Sequence, residues 1–386
     1  MKILMVEPYA HASGHFSQYL SNLYEAHKVN GNEVDILTFS SIQGQRDNLS
    51  SNYQVISEDT LQRINKRLGT TRSSRIFEYI TLMVTYLKLA WIANRKNYEY
   101  IEITTTFLNP LSPLLLTIAC LSKVTTVIHL HIGPYNHGEH VQNIIFKKIV
   151  ELSYRLATTR NKIKFICLSA THLEQFKEWI PRVFKKTIHY IPHGIRLQEN
   201  QIKPKRTNII PHFLHFGVNH SRKEYSTIFK AFSSIKTPYK LTFAGKIYDD
   251  VPENDPRILA KQHNIPQLEI INKFFTEREK GTIINTCDAM ILSYTTDNAG
   301  TSGVLTDAAA YAIPIIISDS QNSINQYNLG LTFKAEDPED LRKRIIEFIQ
   351  MSEQEISKIR TNLVKYAKNN SWENFAAQTS KLLFTN

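Results

Sequence analysis

Short apolar runs of strand length, each followed by a helical segment, recur along the whole chain, and this alternation limits the folds open to it. Lys2-Ile3-Leu4-Met5-Val6 is apolar on both faces and reads as a buried parallel strand. Pro8, Ser13 and Gly14 break the run. Phe16, Tyr19, Leu20, Leu23 and Tyr24 then return at helical spacing. Asn30-Gly31-Asn32 ends that helix, and Val34–Phe39 is the next strand, completing a βαβ unit. Further strands are expected at Tyr100–Thr104, Val124–Leu130, Lys164–Leu168 and Thr187–Ile191. The pattern fails around Gln198–Pro211, which reads as a linker. A second series follows at Phe213–Phe216, Leu241–Ala244, Glu269–Ile271, Ala289–Leu292 and Ile315–Ser318. A chain of 386 residues exceeds what one core usually supports. The expectation is an α/β protein of two Rossmann-like αβα domains facing each other across a cleft.

Charge separates the two halves. Residues 1–196 hold 23 Lys and Arg against 14 Asp and Glu, whereas residues 197–386 hold 23 against 21. The first half is therefore expected to face an anionic partner. With 42% hydrophobic and 21% charged residues, the chain reads as globular and not disordered. Cys120, Cys167 and Cys287 form no C-x-x-C pair, which argues against a zinc site or disulfide framework and for a reducing compartment. The opening MKILMVEPYA has too short an apolar run for a signal peptide. Ile76–Ala93 contains Glu78 and Lys88, and Leu108–Leu121 is short and contains Pro110 and Pro113, so neither is expected to span a membrane.

Three segments carry candidate chemistry. Ala12-Ser13-Gly14-His15 joins a strand to a helix, where backbone amides and the helix dipole can meet an anion; a plain βα turn fits equally well. No full G-x-G-x-x-G is present, so a nicotinamide fingerprint is not supported. Phe216-Gly217-Val218-Asn219-His220-Ser221-Arg222-Lys223-Glu224-Tyr225 places two adjacent cations after a strand, where they can neutralise a departing diphosphate or simply be solvated. The third segment runs from Asp297 to Ile317. Its polar glycine loop opens a helix rich in small residues, with Ser302 and Gly303 at the start, where free amides can hold phosphate oxygens. Asp307, a turn further on, can accept hydrogen bonds from a ribose diol.

Taken in order, these segments resemble a GT-B glycosyltransferase of family 4, over nearly the whole chain. Val304 to Ile316 follow the second half of the family's E-G-F-G-x-P-x-L-E-A-x-A-x-G-x-P-V-V. Gly217 and Lys223 match G-R-x(4)-K-G, with Val218 in place of the Arg and Glu224 in place of the second Gly. Ile191-Pro192-His193-Gly194-Ile195 is similar to I-P-N-G-I/V, Ile166-Cys167-Leu168-Ser169 to the strand that ends in serine, and Ser371-Trp372-Glu373 to the opening of the last helix. Of the family's two acids eight positions apart, Asp307 holds the second place. The first falls on Ala299, with Asp297 nearby, and Arg222 stands in for the absent Arg as a suggestion outside the family pattern.

The resemblance implies a nucleotide-sugar donor, UDP- or GDP-linked, bound mainly by the C-terminal domain, and an acceptor held by the N-terminal one. It implies retention of configuration with no cofactor and no metal. His131, after the strand Val124–Leu130, is the best match to a histidine near the donor sugar. The expected catalytic set is His131, Lys223, Arg222 and Asp297. The expected donor-binding set is Gly14, His15, Gly217, Lys223, Ser302, Gly303, Val304 and Asp307. Expected boundaries are 1–195 for the acceptor domain, 196–370 for the donor domain, and 371–386 for a helix returning toward the first domain. The histidines His129, His131, His137 and His140 could also suggest a metal, but no supporting acid–histidine spacing recurs.

Residues 63–96 contain eight cations and one acid, Glu78, with Tyr79, Met83, Tyr86, Leu87 and Trp91 interleaved. Residues 147–164 carry Lys147, Lys148, Arg155, Arg160, Lys162 and Lys164 against Glu151. Basic amphipathic helices of this kind suit an anionic membrane surface and a lipid-linked acceptor. The expected enzyme is a hexosyltransferase of cell-surface polysaccharide synthesis, cytoplasmic and peripheral on the inner face of the membrane. A nucleotide-sugar 2-epimerase, an inactive GT-B scaffold and a basic nucleic-acid-binding protein are the alternatives. The last lacks any familiar recognition motif, so no nucleic-acid partner is expected.

Overall fold

The computed structural model describes residues 1–8, 15–39, 52–55, 72–106, 112–131, 148–149, 152–154, 156–157, 162–179, 187–199, 202, 209–219, 223–249, 251–265, 267–296, 302–320 and 327–384. These residues divide into two units, Met1–Gly194 with Trp372–Asn386, and Ile195–Ser371.

The first unit is built on strands β1 (Lys2–Glu7), β2 (Glu33–Thr38), β3 (Tyr53–Gln54), β4 (Tyr100–Thr106), β5 (Thr125–Leu130), β6 (Ile163–Cys167) and β7 (Ile188–Tyr190). All pair in parallel, in the order β3-β2-β1-β4-β5-β6-β7. Period-two alternation sends successive side chains into two different cores. Leu4, Val6, Ile101, Ile103, Ile128, Leu130 and Phe165 lie in one, with residues of α2 (Arg72–Arg95) and α3 (Ser112–Leu121). Ile3, Met5, Val34, Ile36, Tyr100, Val127 and Ile166 lie in the other, beneath α1 (His15–Val29) and α11 (Trp372–Lys381). Burial on both faces is why these strands read as continuous apolar runs. The helix α4 (Ala170–Trp179) follows β6, and its Phe176 joins the first core.

The second unit repeats the plan with β8 (His212–Phe216), β9 (Lys240–Ala244), β10 (Leu268–Ile271), β11 (Ala289–Leu292), β12 (Ile315–Ser318) and β13 (Gly330–Phe333), ordered β10-β9-β8-β11-β12-β13 and all parallel. One face packs on α5 (Tyr225–Ser233), α6 (Pro256–Gln262) and α9 (Pro338–Gln350); the other packs on α7 (Glu277–Ile284), α8 (Gly303–Ala310) and α10 (Glu353–Asn369). The α/β class and the parallel sheets expected from the alternation are present. The sequence reading passed over β3 and β13. The first is two residues long, and the second carries Gly330 and Thr332 instead of an apolar run.

Chain order reverses between β1 and β4 in one sheet and between β8 and β11 in the other. In open parallel sheets these switch points leave a crevice at the carboxyl ends of the strands, the usual place for a ligand.

Candidate functional sites at the two switch points

In the second unit, β8 is followed by Gly217 at φ +108° and β9 by Gly245 at φ +154°. A Cβ on Gly245 would overlap the Gly217 carbonyl, so the two turns can approach only as glycines. A Cβ on Gly217 would in turn lie 2.9 Å from Lys223 Nζ and 3.5 Å from Val304 Cγ2. The lysine ammonium and the first turn of α8 therefore border one glycine. Lys223 is buried, and its backbone bridges to Tyr294 just past β11. Asn254 clamps the same loop: its amide donates to Lys223 O and its carbonyl accepts from Tyr225 N at 3.0 Å. Glu224 caps α5 by accepting from Thr227 N.

Ser302 caps α8, its Oγ accepting from Leu305 N at 3.2 Å, and Tyr294 OH lies 2.5 Å from that Oγ. Gly303 is open, with nothing near where a Cβ would stand. Asp307 pairs with Lys280 of α7 at 2.9 Å, and Lys280 also reaches Glu277 at 3.0 Å. Burial raises the Asp307 pKa against the pull of Lys280. Burial opposes the Lys280 charge, but Asp307 and Glu277 outweigh it and hold its pKa above the ordinary value. Below the corner, His215 donates through Nδ1 to Ile291 O at 2.9 Å; burial, then the nearby Lys223 charge, push its pKa well down, so it stays neutral.

In the first unit, Glu7 closes β1, and Thr104 and Thr105 of β4 both donate to its Oε2, the former at 2.7 Å. His131, just past β5, donates from Nε2 to Thr104 O at 2.7 Å. Glu102 lies fully buried in β4. His27 Nε2 is 2.7 Å from Oε2 and His129 Nε2 2.9 Å from Oε1. Burial alone would raise the Glu102 pKa, but the His27 charge and the bonds from both imidazoles hold it down at about 2. His129 Nδ1 meets Tyr19 OH at 2.8 Å, and the Tyr19 ring stands edge-on to His131, His193 and Trp372.

Of the expected site residues, Gly217, Lys223, Ser302, Gly303, Val304 and Asp307 stand along one edge of the second unit, and His131 lies at the switch point of the first. His15 is the first residue of α1. Gly14, Arg222 and Asp297 lie outside the described residues. The sequence reading missed Tyr294, Lys280 and Asn254, each brought in from another segment, and it missed the carboxylates Glu7 and Glu102, which look like ordinary strand residues. A motif search could have noted Glu102 only by the unusual charge within Tyr-Ile-Glu-Ile-Thr. Among the described residues no group of three or more His, Cys, Asp or Glu is arranged to hold a metal ion.

Residues 198–370 match the family model described as glycosyl transferases group 1. The match takes in nearly all of the second unit. The whole chain is also similar in fold to solved glycosyltransferases. Sucrose-phosphate synthase from Thermosynechococcus elongatus matches at 14% identity and TM-score 0.70, over 99% of this chain and 98% of that one. The lipopolysaccharide outer core galactosyltransferase WaaB matches at 12% identity and TM-score 0.66, over 100% and 99%. Anabaena HepE, solved with UDP and glucose, matches at 13% identity and TM-score 0.67, over 100% of both chains. These likenesses show the GT-B fold. No curated protein matches in sequence. The group 1 match ends one residue before the switch from the second unit back to the first, at Ser371 and Trp372.

Proposed function

We propose that this glycosyltransferase moves a hexosyl group from a UDP- or GDP-sugar to a glycan or lipid-linked acceptor, with retention and without a metal, in cell-surface polysaccharide synthesis at the inner face of an anionic membrane. The observation that carries the reading is the corner where Lys223 Nζ and Val304 of α8 border Gly217. A buried ammonium beside a helix N-terminus supplies positive charge where a diphosphate leaving group gains negative charge. Such an arrangement can do the charge-neutralising work that a divalent ion does elsewhere. Lys280 fixes Asp307 through one oxygen, which suits the carboxylate to accept from a ribose diol. Ser302 and Gly303 offer amides to phosphate oxygens.

The first unit takes the acceptor in this reading. His131, with Nε2 committed to Thr104 O, has a fixed ring to present to the transferred sugar. Arg222 and Asp297 keep the roles that the family resemblance implies, Gly14 and His15 a place beside the donor. HepE was solved with UDP and glucose, which favours a UDP-sugar for this chain too.

The test is a melting-temperature screen with UDP, GDP and ADP and their sugars, followed by turnover of the best donor. One base should raise the melting temperature, because a ligand of the folded state stabilises it by mass action. Indifference to every nucleotide would remove the enzyme reading and leave a GT-B scaffold without activity.

A further inference from the structure

On a globular protein large apolar side chains are exposed singly; a concentrated set marks a contact surface. In the second unit the exposed apolar side chains are Ile209 beside Ile210, Tyr248 edge-on to Phe274, Ile258 and Tyr327, and they form no run along one helix. The first unit is different. Along α2, Leu82, Tyr86, Leu89 and Ala93 enter the core, while Ile80, Met83, Leu87 and Trp91, at spacings of three, four and four, are 41–54% exposed. The helical residues 148–149, 152–154 and 156–157 show the same split: Tyr154 and Ala157 are buried, and Ile149, Leu152 and Leu156 are 45–58% exposed. Leu121 at the end of α3 is 75% exposed. Tyr86, Leu116 and Tyr154 share one core, so α2, α3 and the helical residues around Tyr154 cover the same face of the sheet, each with apolar side chains turned outward.

The surroundings say what such a ridge fits. Arg95 Cζ stands 4.6 Å over the Trp91 ring, Lys96 and Lys148 are exposed, and the two segments carry many more cations than acids. An apolar ridge ending in a tryptophan with a cation on its face suits the boundary between acyl chains and anionic headgroups. No helix among the described residues is long and apolar enough to cross a membrane.

We infer that the ridge of Met83, Leu87, Trp91, Leu152 and Leu156 inserts into the acyl boundary of an anionic bilayer, so that the protein is held by burial of side chains and not by charge alone. This deepens the peripheral-membrane part of the reading above. Charge would bring the protein to the surface, and the ridge would keep it there when salt screens the charge.

The experiment uses the full chain, without donor, and phosphatidylcholine vesicles with and without phosphatidylglycerol. Wild type should cosediment with the anionic vesicles and remain partly bound in high salt. Its tryptophan emission should shift to the blue and be quenched by lipids brominated on the acyl chain. Trp91→Phe should abolish most of that quenching, and Leu87→Ser with Leu152→Ser should lower the partition coefficient by roughly tenfold or more. The UDP-dependent melting shift of each variant, measured without lipid, reports folding and the donor reading separately, so either can fail alone. Complete release in high salt with no quenching would overturn the insertion. So would a concentration-dependent dimer that Leu87→Ser dissociates, since a second copy would then cover the ridge.

Discussion

Glu102 carries its charge at 0% exposure, and the two imidazoles facing its oxygens, with the Tyr100 hydroxyl donating to Oε2 at 3.4 Å, make that tolerable. Its folded pKa, about 2, lies below the ordinary 4.5, so its contribution to stability is present above pH 4.5 and is lost as pH falls toward 2. Glu102→Gln should cost the first unit about 3 kcal/mol or more at neutral pH, and the gap to wild type should close across that acid window. Denaturant unfolding at a series of pH values checks this; a gap that stays constant down to pH 2 would show that the carboxylate is not the source. Asp307 serves a different purpose at the same scale. Asp307→Asn keeps the shape but removes the charge that Lys280 holds, and should weaken UDP affinity by about tenfold. Equal affinity in titration calorimetry would remove Asp307 from the ribose.

The helix α8 is where sequence and site meet. Ser302 is both its cap and the partner of Tyr294 OH, so Ser302→Ala should lower stability by about 1 kcal/mol through the cap and also loosen the Tyr294 side of the corner. A chemical-denaturation series reads the first effect, and a rise in the UDP dissociation constant reads the second. The Gly217–Gly245 contact is less forgiving. Gly245→Ala sets a Cβ against the Gly217 carbonyl backbone, and the expected outcome is a lower melting temperature together with weaker UDP binding. A variant with unchanged melting and binding would show that the turns are free to separate. The strands around these sites were readable because both faces are buried, which leaves runs such as Ala289–Leu292 and Ile315–Ser318 with little polar interruption. The helix of Gly303–Ala310 was readable from its small residues and polar opening. Strands β3 and β13 were not, because the first is two residues long and the second carries Gly330 and Thr332 in place of an apolar run. Lys280 was invisible for another reason: its meaning comes from α7 passing Asp307, a contact 27 positions away.

At the scale of the whole chain, the first unit is closed by residues that come last in sequence. Trp372 packs edge-on to Tyr19 and His193 and against Gly194, where a Cβ would strike its indole. The family resemblance of Ser371-Trp372-Glu373 could be read from sequence. The partners of the indole could not, because Tyr19, His193 and Trp372 are far apart along the chain. Trp372→Ala should cost about 3–5 kcal/mol, and hydrogen exchange should rise in β1, α1 and β5 while β8 to β12 keep their protection. Equal loosening in both units would contradict a fold in which the tail belongs to the first. The account as a whole rests on the buried lysine beside Gly217. Its most direct test is calorimetric titration of UDP and GDP into wild type and Lys223→Met, which keeps the packing and removes the ammonium. The account predicts tight binding of one of the two nucleotides by wild type and a loss of about tenfold or more in the variant; the same affinity in both proteins would contradict it.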